Sequence, residues 1–318
     1  FVWYNPARMH ITTVLNEKYA AMIGEPGGKD WGLNEAGMKQ MDDNIGEVLN
    51  KGWEFALRGS PVRGENFRWD FNLAASTLHN ELVDLGGVEP FNSMNRFEEG
   101  APLGAFFSHR ILSVNTTDTV AVVSDSLEML GNLLPDFEGN FSTTITLFEN
   151  LALSGQLDWK RGFMIYNNTA QFRDRAFSNS ELGVTRDELP LEEQIRRYGP
   201  FITESENSVL CADDATEPCD APFTQVNEEY IQKGDFVRLR EIAATLTLPE
   251  QWAQQMRARS ASLTLGVRNL KLWSDYAGHD PEVLAQATRN TGDDTFQRED
   301  FLTVPSPRRW VAKINLTF

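Results

Sequence analysis

The chain has 318 residues, enough for two ordinary domains or for one large β-barrel. Mean hydropathy is −0.39 and no apolar run approaches the roughly 18 residues of a membrane helix, which argues against a helical membrane protein. A formal net charge of −17 argues against nucleic-acid binding, because phosphates repel such a surface.

The beginning of the chain carries little regular pattern. It opens FVWYNPARMH, without an initiator Met or the pattern of a signal peptide, so we expect a mature or truncated fragment whose beginning is missing. Residues 9–15 are a weak strand candidate. The Gly-rich polar stretch that follows predicts a long loop.

Alternation of apolar and polar residues then begins and predicts β-strands. Residues 52–60 and 67–76 alternate on either side of the turn SPVRGEN, and residues 141–148 and 151–160 form a second hairpin. Residues 103–113 are predicted as a further strand and residues 119–124 as a short one. Aromatic residues load one face of several of these strands heavily.

A long stretch without sustained alternation covers residues 162–234, with a helix predicted at 189–198. Within it, residues 201–232 hold eight acidic and no basic residues. Cys211 and Cys219 are spaced for a small loop disulfide, which fits an extracytoplasmic compartment, and two free thiols are the alternative. A metal pair is disfavoured because no further Cys or nearby His completes a site.

The last third of the chain returns to alternation. Residues 236–248 predict a strand whose change of phase indicates a β-bulge near Glu241. A helical turn at 249–257 and a strand at 261–267 follow. Residues 309–318 form the closing strand, with one apolar face that ends on an aromatic residue and is made of Trp310, Ala312, Ile314, Leu316 and Phe318.

These patterns together predict an all-β fold, an antiparallel transmembrane β-barrel with short periplasmic turns and long extracellular loops. The alternative is a soluble β-sandwich with apolar residues inside. In the barrel, the polar residues of the alternating strands face the lumen, among them Arg68, Asp70, Asn72, Asp158, Lys160, Arg268, Lys313 and Asn315.

The sequence offers no catalytic constellation. His10, His79, His109 and His279 lie in separate segments without metal-ligand spacing, so we predict no enzyme activity, no metal and no cofactor. Loop aromatics near amides are the best candidates for substrate binding, with an interfacial aromatic girdle as the alternative. These candidates are Tyr166, Asn167, Asn168, Phe172, Trp273 and Tyr276.

Three stretches near the end of the chain read GDFVRLREIAATLTLPEQW, SASLTLGVRNLKLWSDYAGHDPEV and SPRRWVAKINLTF. They resemble the carboxy-terminal end of SusC/RagA-type TonB-dependent outer-membrane transporters. Earlier barrel segments of the same family resemble NIGEVLNKGWEFALRGSPVRGENFRWDFNLAASTLHNELVDLGG and APLGAFFSHRI. The resemblance runs from about residue 44 to the end, with gaps in the loops.

This resemblance implies a barrel of about 22 strands around a plug. Residues 1–318 would be the carboxy-terminal part of that one barrel domain, without the plug and the first barrel half. It implies TonB-dependent active import of a large nutrient, a glycan or a peptide, across the outer membrane of a Gram-negative-type bacterium. The alternative functions are an outer-membrane scaffold or adhesin without transport, and a soluble β-sandwich binding module.

The resemblance also implies partners. They are a SusD-type substrate-binding lipoprotein, the TonB–ExbB–ExbD energy-coupling system acting through a segment absent here, outer-membrane lipid, and the remainder of the barrel from the same or another chain. The closing strand, with Trp310, Ile314, Leu316 and Phe318 as its signature, would need that remainder. An open edge in lipid leaves backbone groups unpaired, so we predict that another segment or chain pairs with it.

Overall fold

The computed structural model describes residues 2–15, 39–92, 94–117, 120–176, 189–202, 209–211, 226–282 and 298–318. The strands are β1 (Val2–Leu15), β2 (Lys39–Arg63), β3 (Phe67–Thr77), β4 (His79–Asp84), β5 (Asn95–Arg96), β6 (Ala105–Ser108), β7 (Ile111–Asn115), β8 (Val120–Val123), β9 (Glu128–Gly131), β10 (Phe137–Leu147), β11 (Leu151–Arg161), β12 (Met164–Tyr166), β13 (Val209–Cys211), β14 (Ile231–Lys233), β15 (Phe236–Thr247), β16 (Ser260–Ser274) and β17 (Arg309–Thr317). The helices are α1 (Asn168–Ala176), α2 (Leu191–Ile202), α3 (Glu250–Gln255) and the 3-10 turn Glu228–Tyr230. None of the described helices has the length and apolar composition needed to cross a membrane.

One antiparallel sheet organises the described chain. Its order is β1-β2-β3-β10-β11-β15-β16-β17, and β4 pairs with the upper part of β2. Neighbours along this path follow one another in the sequence apart from the intervening connections, as in a meander. The predicted all-β antiparallel architecture is confirmed.

The two faces of the sheet differ sharply. A row across the apolar face reads Gly59, Phe71, Thr143, Gly155, Ile242, Val267 and Trp310, and the adjacent row on the polar face reads Arg58, Asn72, Ser142, Gln156, Glu241, Arg268 and Arg309. Apolar-face side chains stay exposed, 44% at Ile242 and 80% at Trp310. Between the two layers of a sandwich such side chains would be buried, whereas in lipid this face is the one that must be apolar.

Short and long connections lie at opposite ends of the sheet. Residues 64–66, 148–150 and 248–259 join strands at one end, and the connections 78–136, 162–235 and 275–308 join them at the other. The predicted alternation of short turns and long loops is confirmed. Phe318, which follows β17, lies at the end with the short turns.

Most of the buried core of the described chain lies in the long connections, whose described parts we call the cap. Phe106, Leu133, Tyr166, Tyr230 and Ile231 form one cluster from two different connections. Two further clusters include Leu82 with Leu85 and Ala105 with Phe107. The cap is therefore a packed layer at one end of the sheet, while the strands below it bury few large side chains.

The structure corrects the prediction of one strand at 103–113. This stretch breaks at His109 into β6 and β7, which belong to two different small sheets inside the cap. All four residues of β6 are buried, so β6 lacks an exposed apolar face, and neither β6 nor β7 is a strand of the main sheet. A short apolar run of this kind is compatible with burial on both sides, which the sequence alone did not reveal.

Other strand boundaries also shift. The strand predicted at 52–60 is the lower part of β2, which has 25 residues, and the strand predicted at 261–267 extends through Ser274 in β16. The predicted bulge is confirmed, because the register between β15 and β16 shifts between Leu239 and Glu241. The predicted helix at 189–198 appears as α2 with later boundaries.

Gly139 on β10 makes room for a tryptophan of the apolar face. A Cβ at this position would lie 2.4 Å from the Trp159 ring and 2.6 Å from the backbone oxygen of Ala74. We expect Gly139→Val to destabilise the sheet by about 1–3 kcal/mol, because neither neighbour can move away freely. Thermal unfolding in detergent measures the change.

Gly155 supplies the matched control, since it lies on the same face one strand away. The nearest atoms to a Cβ there are 3.9 Å distant, so Gly155→Val meets ordinary contacts. Equal loss of stability in the two variants would contradict the packing of Trp159 over Gly139.

Candidate functional site

The polar face carries charged side chains that pair with one another. Arg68 pairs with Asp70 at 2.7 Å, Lys160 with Glu138 at 2.9 Å, and Arg268 with Glu241 at 2.6 Å. All eight residues predicted to face a lumen share this face by register. A cavity of about 820 Å³ is lined mostly by its side chains, including Glu54, Asn140, Asp158 and Lys160.

The most buried charges of this face lie where β15 meets the third long connection. Arg238 is only 3% exposed and donates to Asp280, which is 2% exposed. The Arg238 Nε atom lies 2.7 Å from Glu282 Oε2, an ion pair without hydrogen-bond alignment. Asp280 and Glu282 belong to residues 275–282, which we call the strap because they run from the end of β16 back over the polar face.

The β-bulge adds a second arginine to this cluster. Arg240 is the extra residue between Leu239 and Glu241, and it also lies on the polar side. Its Nε donates to Asp158 Oδ2 at 2.6 Å, and its Nη2 donates to Glu282. Glu282 thus bridges both arginines and links the strap to β15 and, through Arg240, to β11.

The rest of the cap holds the other end of the strap. Tyr276 is buried and donates to Asp300 Oδ2 at 2.9 Å, and both burial and the charge of Asp300 raise the pKa of the Tyr276 hydroxyl. The backbone N–H of Asp300 in turn donates to the backbone oxygen of Tyr166, and the backbone oxygen of Asp300 accepts from the Thr169 N–H. The strap therefore connects the arginine cluster with the second long connection.

The predicted binding residues of the second connection are part of this packing. Tyr166, Asn167 and Asn168 are at most 9% exposed. Tyr166 donates to Asn168 Oδ1 at 3.4 Å, and the Asn167 Oδ1 accepts from the Ala170 N–H, as a helix N-cap does. Their hydrogen bonds hold the cap together, and their role in substrate binding stays a prediction.

The remaining candidates occupy two further environments. Phe172 is 42% exposed and packs edge-on against Phe301, with ring centroids 5.5 Å apart. Trp273 is half exposed on the apolar face, in one cross-strand row with Phe55 and Trp159 near the cap. That row fits the aromatic girdle at a membrane interface, the alternative kept open for these residues.

The two cysteines and the closing strand remain to be placed. Cys211 ends β13, and Cys219 lies outside the described residues, so the disulfide stays a prediction.

On β17 and just after it, Trp310, Ile314, Leu316 and Phe318 are exposed, and within the described chain this strand pairs with β16 alone. Among the described residues, no group of three metal-ligating side chains comes together.

One acidic residue of the cap lies where the negative charge of its carboxyl group is unfavourable. Burial and the neighbouring charge of Glu193 raise the pKa of the Glu229 carboxyl. A raised folded-state pKa means that the cap loses stability as pH rises from the ordinary range of Glu through the folded pKa. We expect Glu229→Gln to remove this loss, so the variant gains protection relative to the wild type at pH 8 but not at pH 4, measured by hydrogen exchange in the cap.

Glu192→Gln is the control for that experiment. Glu192 and Glu229 both pair with Arg196, at 3.3 and 3.7 Å, but Glu192 is 62% exposed. A gain at pH 8 of equal size in both variants would show that the effect comes from Arg196 and not from the buried carboxyl.

Comparisons with known proteins complete the picture of the site. No protein-family model matches the chain. The chain is 26% identical over 317 residues to TonB-dependent receptor P26 and 24% identical over 307 residues to TonB-dependent receptor P3, both of Formosa agariphila. Each alignment covers 89% of this chain and 30% of the relative, so the chain spans about three tenths of the length of these relatives.

Solved structures agree on the fold. The structure of the RagAB peptide transporter matches 89% of this chain and 31% of its own, with a TM-score of 0.65 and 16% identity. The RagAB peptide importer in the closed-closed state matches with a TM-score of 0.62 and 18% identity. The chain is similar to SusC/RagA-type TonB-dependent receptors. The resemblance inferred from the sequence is confirmed, and the main sheet has the fold of part of a TonB-dependent transporter barrel. In a barrel of this kind the apolar face is the one that meets lipid, and the polar face lines the lumen.

Proposed function

We propose that this chain forms part of an outer-membrane transporter for TonB-dependent active import. The observation that carries the proposal is the sheet itself, with an exposed apolar face, a polar face of paired charges, and long connections packed into a cap at one end. Such a wall separates lipid from a polar passage. The similarity of the chain to TonB-dependent receptors supports TonB as the source of energy for import.

The organisation of the transporter is part of the proposal. Residues 1–318 form the carboxy-terminal part of one barrel domain, and the rest of the barrel and a plug come from the same or another chain. The outer strands β1 and β17 each pair with only one neighbour among the described strands. Because unpaired backbone groups in lipid cost several kcal/mol each by the usual estimate, further strands are expected at both edges.

The cargo is a large nutrient, a peptide or an oligosaccharide, delivered with a SusD-type surface lipoprotein. The RagAB structures, which are described as a peptide transporter and importer, favour a peptide. The cap lies at the end of the barrel where such a lipoprotein would dock. TonB with ExbB and ExbD would supply the energy for this import.

Deletion of the gene that encodes this chain tests the proposal. We expect the deletion strain to lose uptake of labelled peptides or oligosaccharides, and a wild-type copy of the gene to restore it. A protonophore should abolish the restored uptake, because TonB-dependent import needs the inner-membrane proton gradient. Normal uptake in the deletion strain would instead favour the scaffold or adhesin function.

A further inference from the structure

The two arginines of the ionic cluster are placed like a binding site for carboxylates. Arg238 and the bulge residue Arg240 lie on the polar face of β15. Arginine presents planar, paired donors that match a carboxylate. In the structure, the two carboxylates that occupy these donors from the lumen side both come from the strap.

Asp280 and Glu282 sit on the arginines as a bound ligand would. Asp280 accepts from Arg238, while Glu282 contacts Arg238 with one carboxylate oxygen and Arg240 with the other. Pro281 between them is fully buried. The segment Asp280-Pro281-Glu282 thus covers the site, and this cover is consistent with the low exposure of Arg238.

The charge balance changes sign when the strap is removed. With the strap in place, Arg238 and Arg240 face three carboxylates, those of Asp158, Asp280 and Glu282. Without it, the two guanidinium groups keep Asp158 alone. The wall would then hold one uncompensated positive charge in a partly desolvated place, which favours binding of an anionic group.

Stability alone is a weak reason for such a cluster. Apolar residues of similar volume often stabilise a protein as well as a buried ion pair does, or better. A loop that only needed to be held in place would therefore be held more simply by apolar contacts. Exchangeable carboxylates become useful when another ligand takes their place.

We propose that Arg238 and Arg240 form a carboxylate-binding site for acidic peptides on the lumen wall, which the strap occupies with its own Asp280 and Glu282. The strap is itself a peptide with carboxylates two residues apart, and this favours a peptide over an acidic glycan. Only the statement that the acidic peptide is cargo rests on the proposed function. The strap is then a competitor that a suitable substrate displaces.

A peptide with the sequence of residues 276–283, YAGHDPEV, is the probe, labelled with a fluorophore and added to the protein purified in detergent. We expect the Asp280→Asn/Glu282→Gln variant to bind it at least about tenfold more tightly than the wild type, because its own strap no longer competes. The same peptide carrying Asp280→Asn and Glu282→Gln should bind neither protein measurably. Adding Arg240→Met to the variant should abolish the gain.

Several outcomes would overturn the inference. The site would be ruled out if wild type and variant bound the peptide equally, if the two peptides bound equally, or if Arg240→Met had no effect. Tighter binding of an oligogalacturonate than of the acidic peptide would overturn the peptide assignment. Should the double variant fail to fold, Glu282→Gln alone, at a position whose side chain is 23% exposed, is expected to give a smaller gain of about threefold. Binding is measured without an energy source, so normal uptake by the deletion strain together with intact peptide binding would contradict the proposed function and leave this site standing.

Discussion

Replacement of Ile242 by Arg is expected to destabilise the folded barrel by about 2–4 kcal/mol, the cost of an arginine near the middle of a lipid-facing surface. Ile242 lies in the middle of β15, is 44% exposed on the apolar face, and has Gly155 and Val267 beside it. In lipid its side chain has no water to solvate a charge. Denaturant unfolding of the protein in lipid vesicles measures the difference.

The same charge on the opposite face is the control. Ser142 lies at a similar height on β10, between Asn72 and Gln156 on the polar face. Because that face borders the water-filled side, Ser142→Arg should change the free energy of unfolding little. A loss at Ser142 as large as the loss at Ile242 would mean that the two faces do not differ in environment.

The second large effect is expected at the buried pair of Arg238 and Asp280. Arg238→Met leaves the Asp280 carboxylate buried without its partner, and such a change typically costs about 3–5 kcal/mol. Asp280→Leu removes the buried partner of Arg238 and leaves this arginine with Glu282 alone. We expect either variant to free the strap, so that proteolytic cleavage within residues 275–282 becomes faster while the sheet stays folded.

The double variant Arg238→Met/Asp280→Leu shows whether the loss comes from the unpaired charge. It should recover most of the stability of the wild type, because two apolar groups of similar volume replace the pair. Asp70→Asn, in the exposed pair with Arg68, should have no measurable effect on strap cleavage. If the double variant were as unstable as the sum of the single ones, the arginine would act through some contact other than Asp280.

The strands of the main sheet could be predicted because lipid imposes a strict period of two. The hairpin of β10 and β11 and the closing strand β17 alternate almost without exception, and their pairing follows the chain. The bulge at Arg240 was visible as a change of phase before Glu241. The upper half of β2, from Lys39 to about Asn50, carries no such alternation, and its membership of the sheet was not foreseen.

The cap and the ionic cluster could not be predicted in the same way. The burial of Tyr166 and Asn168 depends on contacts with residues far along the chain, such as Asp300 and Glu299. No local sequence pattern predicts these contacts. Asn167 did carry a local signal, since an Asn before a helix is a common N-cap. No local pattern marks Asp280 and Glu282 as partners of an arginine, and only the fold brings them to Arg238, 42 residues away from Asp280 in sequence.

The orientation of the sheet is the central claim, with the apolar face in lipid and the polar face toward the lumen. Spin labels at single cysteines introduced at positions 242 and 142, in a protein with Cys211 and Cys219 replaced by Ser, test it directly in lipid vesicles. The label at position 242 should collide mainly with dissolved oxygen, and the label at position 142 with a water-soluble nickel complex. Equal accessibility of the two labels to the nickel complex, or the reverse order, would contradict the claim.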